Sequence, residues 1–165
     1  MVDKNAESSP MEPLRDLDEL IAQEEKFRFD SFSQKEAGAL AGIMMQKEDE
    51  WGRPVAVCIQ LNGSTVFQYL PEGTGKLHEQ WFKKKIFTVT TLSWSTMRYW
   101  AWQHRIGVRR APSLLAETDL VCCGGGFPIY VNGVGLVGVI VASGLSDQGD
   151  HDFIIDCLET LTGKA

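Results

Sequence analysis

A chain of 165 residues, 44% hydrophobic and 23% charged, can bury one core without disulfides or structural metals and is too ordinary in composition for a disordered or fibrous protein. Its net charge of -6 argues against a nucleic-acid partner, and no run approaches the roughly 18 apolar residues of a membrane-spanning helix. The opening MVDKNAESSPMEP lacks the apolar stretch of a signal peptide, so a cytoplasmic location with Cys58, Cys122, Cys123 and Cys157 as reduced thiols is expected.

Residues 1-13, polar and holding Pro10 and Pro13, read as a mobile tail, and residues 14-165 as one domain. Leu14, Leu17, Leu20, Ile21 and Phe27 keep helical spacing. Ser33 and Glu36 form a capping box that starts a second helix, with an apolar stripe of Ala37, Leu40, Ala41, Met44 and Met45, stopped by Gly52 and Pro54. Val55 to Leu61 and Ser64 to Leu70 read as strands joined at Asn62-Gly63, a pair that tolerates the positive φ of a tight hairpin. A third helix carries Leu77, Trp81, Phe82, Lys85, Ile86 and Val89 on one face, and Thr88, Thr90 and Thr91 weaken it beyond that point. A shorter helix runs from Thr96 to about Arg105 and ends before Gly107.

After a loop containing Pro112, Leu120 to Cys123 is expected to be a short strand leading through Gly124-Gly125-Gly126 into a strand from Phe127 to Val131. Asn132-Gly133 signals a second hairpin into the apolar run Val134 to Ala142, which must be buried on both faces or nearly so. The last helix is expected over Asp150 to Leu161, with Asp147 or Asp150 as its N-cap. The order α-α-β-β-α-α-β-β-α, with hairpins joining strands, predicts an α+β fold: an antiparallel sheet with helices packed on both faces.

Eight basic residues lie between Lys76 and Arg110 against one acid, Glu79, so the middle of an acidic chain is basic. Lys85 follows Trp81 by one helical turn, which aims it at a groove or a partner subunit, while Lys83 and Lys84 reach for water. Lys85 and Arg98 are the candidates for holding a carboxylate-bearing ligand; a solvated or inter-subunit basic face is the plainer alternative. Trp81, Trp94, Trp100 and Trp102 share this window, and core or interface packing explains them more economically than base stacking. The triplet Gly124, Gly125 and Gly126 either lets the backbone approach an anion or makes a bend between strands. His151, between Asp150 and Asp152, is a candidate switch or ligand, His78 sits one turn before Trp81, and His104 reads as exposed. No metal-ligand spacing is present, and Ser143 in A-S-G-L is not a nucleophile elbow, so no catalytic residue is nominated and enzyme activity stays open.

The segment GGGFPIYVNGVGLVGVIVASGLSDQGDHDFIIDCL resembles the haem-degrading, GlcG-like (HbpS-like) family and especially its UPF0303 branch, in which a glycine-rich FPI turn, a buried strand, an SGL turn and an acidic DH follow one another. HEQWFKKKIFTVTTLSWST is similar to that branch's tryptophan and paired-hydroxyl helix. The resemblance implies a profilin-like sheet, a homo-oligomer, and a small anionic ligand, with haem or another tetrapyrrole as the cofactor class. Its site residues would be Trp81, Lys85, Ser95, Arg98, Gly124, Gly125, Gly126 and His151. An oligomeric adaptor with a protein partner is the alternative that it implies, and a haem-degrading enzyme a further one. The chain departs from the family pattern at Cys123, where a histidine is expected, at His78, where an asparagine is expected, and at Trp94.

Overall fold

The computed structural model describes residues 15-106 and 119-165. The expected tail, Leu14, Arg109, Arg110 and the Pro112 loop lie outside the described residues. Helix α1 (Leu17–Lys26) starts at Asp16, whose side chain accepts the backbone N–H groups of Asp18 and Glu19. Helix α2 (Gln34–Trp51) starts at the Ser33–Glu36 capping box and ends on Gly52 in the left-handed conformation. Strands β1 (Ala56–Leu61) and β2 (Ser64–Tyr69) form the first hairpin, turned by Asn62 at φ 49° and Gly63 at φ 81°. Helices α3 (Lys76–Leu92) and α4 (Thr96–Ile106) follow, then β3 (Gly126–Val131), β4 (Gly135–Ser143) and α5 (Asp147–Thr162).

The strands form one antiparallel sheet in the order β2-β1-β4-β3. Alternation along β1 and β4 builds two cores. Val57, Ile59, Ile140 and Ala142 face α2 and α5, where Leu40, Met44, Phe153, Ile154 and Leu158 complete the larger one. Ala56, Cys58, Val139 and Val141 face the other way, against Phe82 and Val89 of α3. The apolar run expected to be covered on both sides is so covered from Gly138 onward in β4, whereas Val134 before it is 73% exposed, and the expected α+β order holds. α1 packs on α4 through Leu20, Met97 and Ala101, and the segment after α1 closes the β3 edge, where Phe29 N–H donates to the Tyr130 carbonyl (2.9 Å) and Asn132 N–H to the Phe29 carbonyl (2.8 Å).

Three local expectations need correction. Leu120 to Cys123 is not a strand: the Val121 N–H is taken by Thr88 Oγ1 at 3.0 Å instead of a ladder partner, and β3 begins only at Gly126. α3 does not weaken at its threonines, because the hydroxyls of Thr88 and Thr90 donate to the carbonyls of Lys84 (2.9 Å) and Ile86 (2.8 Å), which satisfies them within the helix. The N-cap of α5 is Ser146, whose Oγ accepts the Gly149 N–H at 3.1 Å; Asp147 and Asp150 fall inside the first turn. None of the described helices is long and apolar enough to cross a membrane.

Candidate functional site

Lys85 projects from α3 toward the sheet and is 2% exposed. A buried ammonium needs compensation. Asp150, in the first turn of α5, supplies it: Lys85 Nζ lies 3.0 Å from Asp150 Oδ2 and donates to the Ala142 carbonyl of β4 at 2.7 Å. The other oxygen of Asp150 accepts the Leu145 N–H at 2.9 Å, which ties the turn between β4 and α5 to the same carboxylate. Burial pushes the Asp150 carboxyl up from its ordinary range, against the pull of Lys85 and the Leu145 hydrogen bond.

The glycine triplet lets these elements close. A side chain on Gly125, at φ 92°, would put its Cβ 2.3 Å from the Ala142 carbonyl oxygen and 2.7 Å from Lys85 Nζ. At Gly124 it would strike the Asp147 carbonyl at 1.7 Å. The backbone that approaches here is the chain's own, so the triplet is a bend that lets β3 run beside the ion pair.

In front of the pair opens a cleft of about 260 Å³, lined by Leu77, His78, Trp81 and Lys85 of α3, by Cys123, and by Ser143, Leu145, Asp147 and Asp150 from the end of β4 to the start of α5. His78 is oriented by the start of its own helix: the Gly75 N–H donates to His78 Nδ1 at 3.1 Å, so the ring proton sits on Nε2 as a donor. Lys85 has three N–H bonds, and Asp150 and Ala142 take two. Burial pushes the Cys123 thiol up to about 12, so the sulfur facing the cleft is protonated at neutral pH. Leu77 and Trp81, one turn apart at the mouth, are 68% and 39% exposed.

Of the residues nominated from the sequence, Trp81 and Lys85 line this cleft, and Gly124, Gly125 and Gly126 stand behind its wall. The other three lie elsewhere. Arg98 binds the buried carboxylate of Glu24 on α1 at 2.6 Å, with its guanidinium 4.3 Å from the centre of the Trp94 ring. Ser95 N–H donates to the same Glu24 at 2.7 Å, and its hydroxyl oxygen accepts the Arg98 N–H at 3.1 Å. His151 is fully buried beside Phe127, with Nε2 paired to Gln23 Oε1 at 2.8 Å and Nδ1 without a partner. Burial, with Arg15 adding to it, pushes the His151 imidazole down to about 4. Both cations nominated to hold a ligand carboxylate thus meet carboxylates of their own chain.

Sequence reasoning missed Asp150, read as a helix cap, together with Asp147 and Ser143. The available signal was Lys85 itself: a lysine on the apolar stripe of a helix must find a carboxylate, and the DQGDHD run was the nearest acidic candidate next to a buried strand. Among the described residues no group of three or more His, Cys, Asp or Glu side chains is arranged to hold a metal ion.

Comparison with known proteins agrees with this architecture. The chain is 30% identical over 152 residues to the UPF0303 protein of Pseudomonas entomophila (strain L48), covering 90% of this chain and 83% of that one. Among solved structures it is similar to the Ybr137w protein, with a TM-score of 0.78 at 20% identity over 94% of this chain and 90% of that one. It is also similar to the PduOC:heme complex, with a TM-score of 0.63 at 20% identity over 79% of this chain and 94% of that one. These two likenesses establish a shared fold. The family described as haem-degrading, HbpS-like proteins matches residues 32-159, and this chain belongs to that family, in its UPF0303 branch.

Proposed function

We propose that this chain is a homo-oligomeric small-ligand-binding protein whose site is the cleft between α3 and the start of α5. The observation that carries this reading is a cleft lined by Lys85 and His78, each with an N–H beyond those its own partners take, together with the exposed apolar side chains of Leu77 and Trp81. Such a mixture of a few placed polar groups and apolar surface is what small-molecule sites use.

Haem or another anionic tetrapyrrole is the ligand to which the family and the haem-bound neighbour point. The cleft, at about 260 Å³, takes one carboxylate arm, and the ring stays outside it against Leu77 and Trp81. His78 Nδ1 accepts the Gly75 N–H and His151 is buried beside Phe127, so the contacts this reading uses are those to the carboxylates and the ring. A tetrapyrrole here is held by its carboxylates and ring, so metal-free protoporphyrin should bind as well as haemin.

Titration with haemin and with protoporphyrin, read by the Soret band, tests this. A saturable shift that is lost in Trp81→Ala and in His78→Ala supports the reading. An unshifted spectrum removes the tetrapyrrole, and a shift unaffected by both variants removes the cleft. Light scattering of the purified protein tests the assembly, and a monomer at micromolar concentration would contradict it.

A further inference from the structure

The charges around the cleft carry more information than its donors alone. Lys85 is neutralised by Asp150 at 3.0 Å, and both are buried, with side-chain exposures of 3% and 6%. Asp147, exposed on the first turn of α5, adds a second carboxylate to the lining. The lining therefore holds donors, at Lys85 and His78, together with a carboxylate, at Asp147, that no buried cation among the described residues neutralises. A plain anion among these donors would share the cleft with the uncompensated carboxylate of Asp147, and a plain cation would leave the donors of Lys85 and His78 without an acceptor. The cavity, at about 260 Å³, falls below the roughly 300–1,000 Å³ of sites for drug-sized ligands.

We infer that the ligand enclosed by this cleft is a small zwitterion, an aminocarboxylate whose carboxylate accepts from Lys85 and His78 and whose ammonium is held by Asp147. The carboxylate enters as the third partner of an ammonium already fixed by Asp150 and Ala142, so little ordering is required on binding. Ser143 and the protonated Cys123 complete the wall with weak donors and acceptors. Trp81 at the mouth supplies an aromatic face for the ligand's ammonium or its alkyl chain. This inference rests on the cleft being the ligand site, and it differs from the tetrapyrrole reading in requiring a cationic group on the ligand.

The test uses the full-length protein and matched probes: β-alanine, propionate and ethylamine, each titrated by calorimetry and by thermal shift. β-Alanine should bind saturably and at least about tenfold more tightly than either half-molecule, because each charged hydrogen bond is worth about a factor of ten or more. Asp147→Asn, at an exposed position that leaves the buried pair intact, should cost β-alanine about tenfold and leave propionate binding at least as tight as before, because the opposing carboxylate is gone. His78→Ala should weaken β-alanine and propionate alike. Equal binding of propionate and β-alanine, no saturable response to β-alanine, or an Asp147→Asn protein that binds β-alanine normally would overturn the inference. If porphyrin binding is still lost in Trp81→Ala and His78→Ala under any of those outcomes, the cleft stands as a site and only the zwitterion falls.

Discussion

Lys85 and Asp150, 65 positions apart in the chain, meet at 3.0 Å as a buried ion pair that pins α3 to the start of α5 across the end of β4. Removing one member leaves the other as an uncompensated buried charge, the costly case. Lys85→Met should lower unfolding free energy by about 3–5 kcal/mol. Lys85→Met combined with Asp150→Asn should recover part of that loss, because the remaining polar group is neutral. Urea denaturation followed by circular dichroism measures both; equal losses in the single and double variants would show that the pair is not coupled.

The glycines divide sharply by environment. Gly125→Ala forces a Cβ into the Ala142 carbonyl oxygen (2.3 Å) and onto a backbone of φ 92°, and should cost about 3 kcal/mol or more. Gly42, inside α2 with nothing within 4 Å, should instead stabilise the protein by about 0.5–1 kcal/mol when changed to Ala. Opposite signs in paired thermal melts check this.

Acid should destabilise the fold through His151. Its folded-state value of about 4 lies below the ordinary 6.5, so between those values the unfolded chain binds the proton and the folded one does not. Stability is complete above about pH 6.5 and falls as the pH drops toward 4, by about 3 kcal/mol in total. Asp150, raised instead of lowered, contributes with the opposite sign in the range above its ordinary 3.8. His151→Gln should flatten the loss between pH 6.5 and 4 in urea-melt series; an unchanged slope would assign the acid sensitivity to other groups.

Thiol reactivity should follow burial. Cys123 and Cys157 are each pushed up to about 12 by burial, and the Cys58 thiol is raised for the same reason, whereas Cys122 is half-buried. Iodoacetamide at neutral pH should therefore label Cys122 first in the native protein and the other three only after unfolding. Early labelling of Cys123, read by mass spectrometry, would contradict the raised thiol that burial gives it.

What the sequence disclosed was chiefly local. The Ser33–Glu36 box, the two Asn-Gly turns and the doubly covered β4 are each written in residues close together, and the element order follows from them. The misplaced strand at Leu120 and the doubted end of α3 share one cause, because Thr88 both caps its own helix carbonyl and takes the Val121 N–H, a contact between residues 33 apart. The site was legible in half. Trp81 and Lys85 could be placed by helical spacing, but the carboxylates that neutralise Lys85 and Arg98 lie 65 and 74 positions away, and no periodicity announces them. For the same reason His151 reads in sequence as a candidate switch or ligand: only the packing of α1, through Gln23, shows it sealed.

The central claim, that the space between Lys85, His78 and Trp81 is where this protein holds its ligand, is tested most directly by crystal structures of the protein grown with β-alanine and with protoporphyrin. The account predicts ordered density touching Lys85 Nζ and His78 Nε2, with Asp147 beside the ammonium in the first case and the ring against Trp81 in the second. Ligand density elsewhere, with only water in the cleft at saturating concentration, would contradict it.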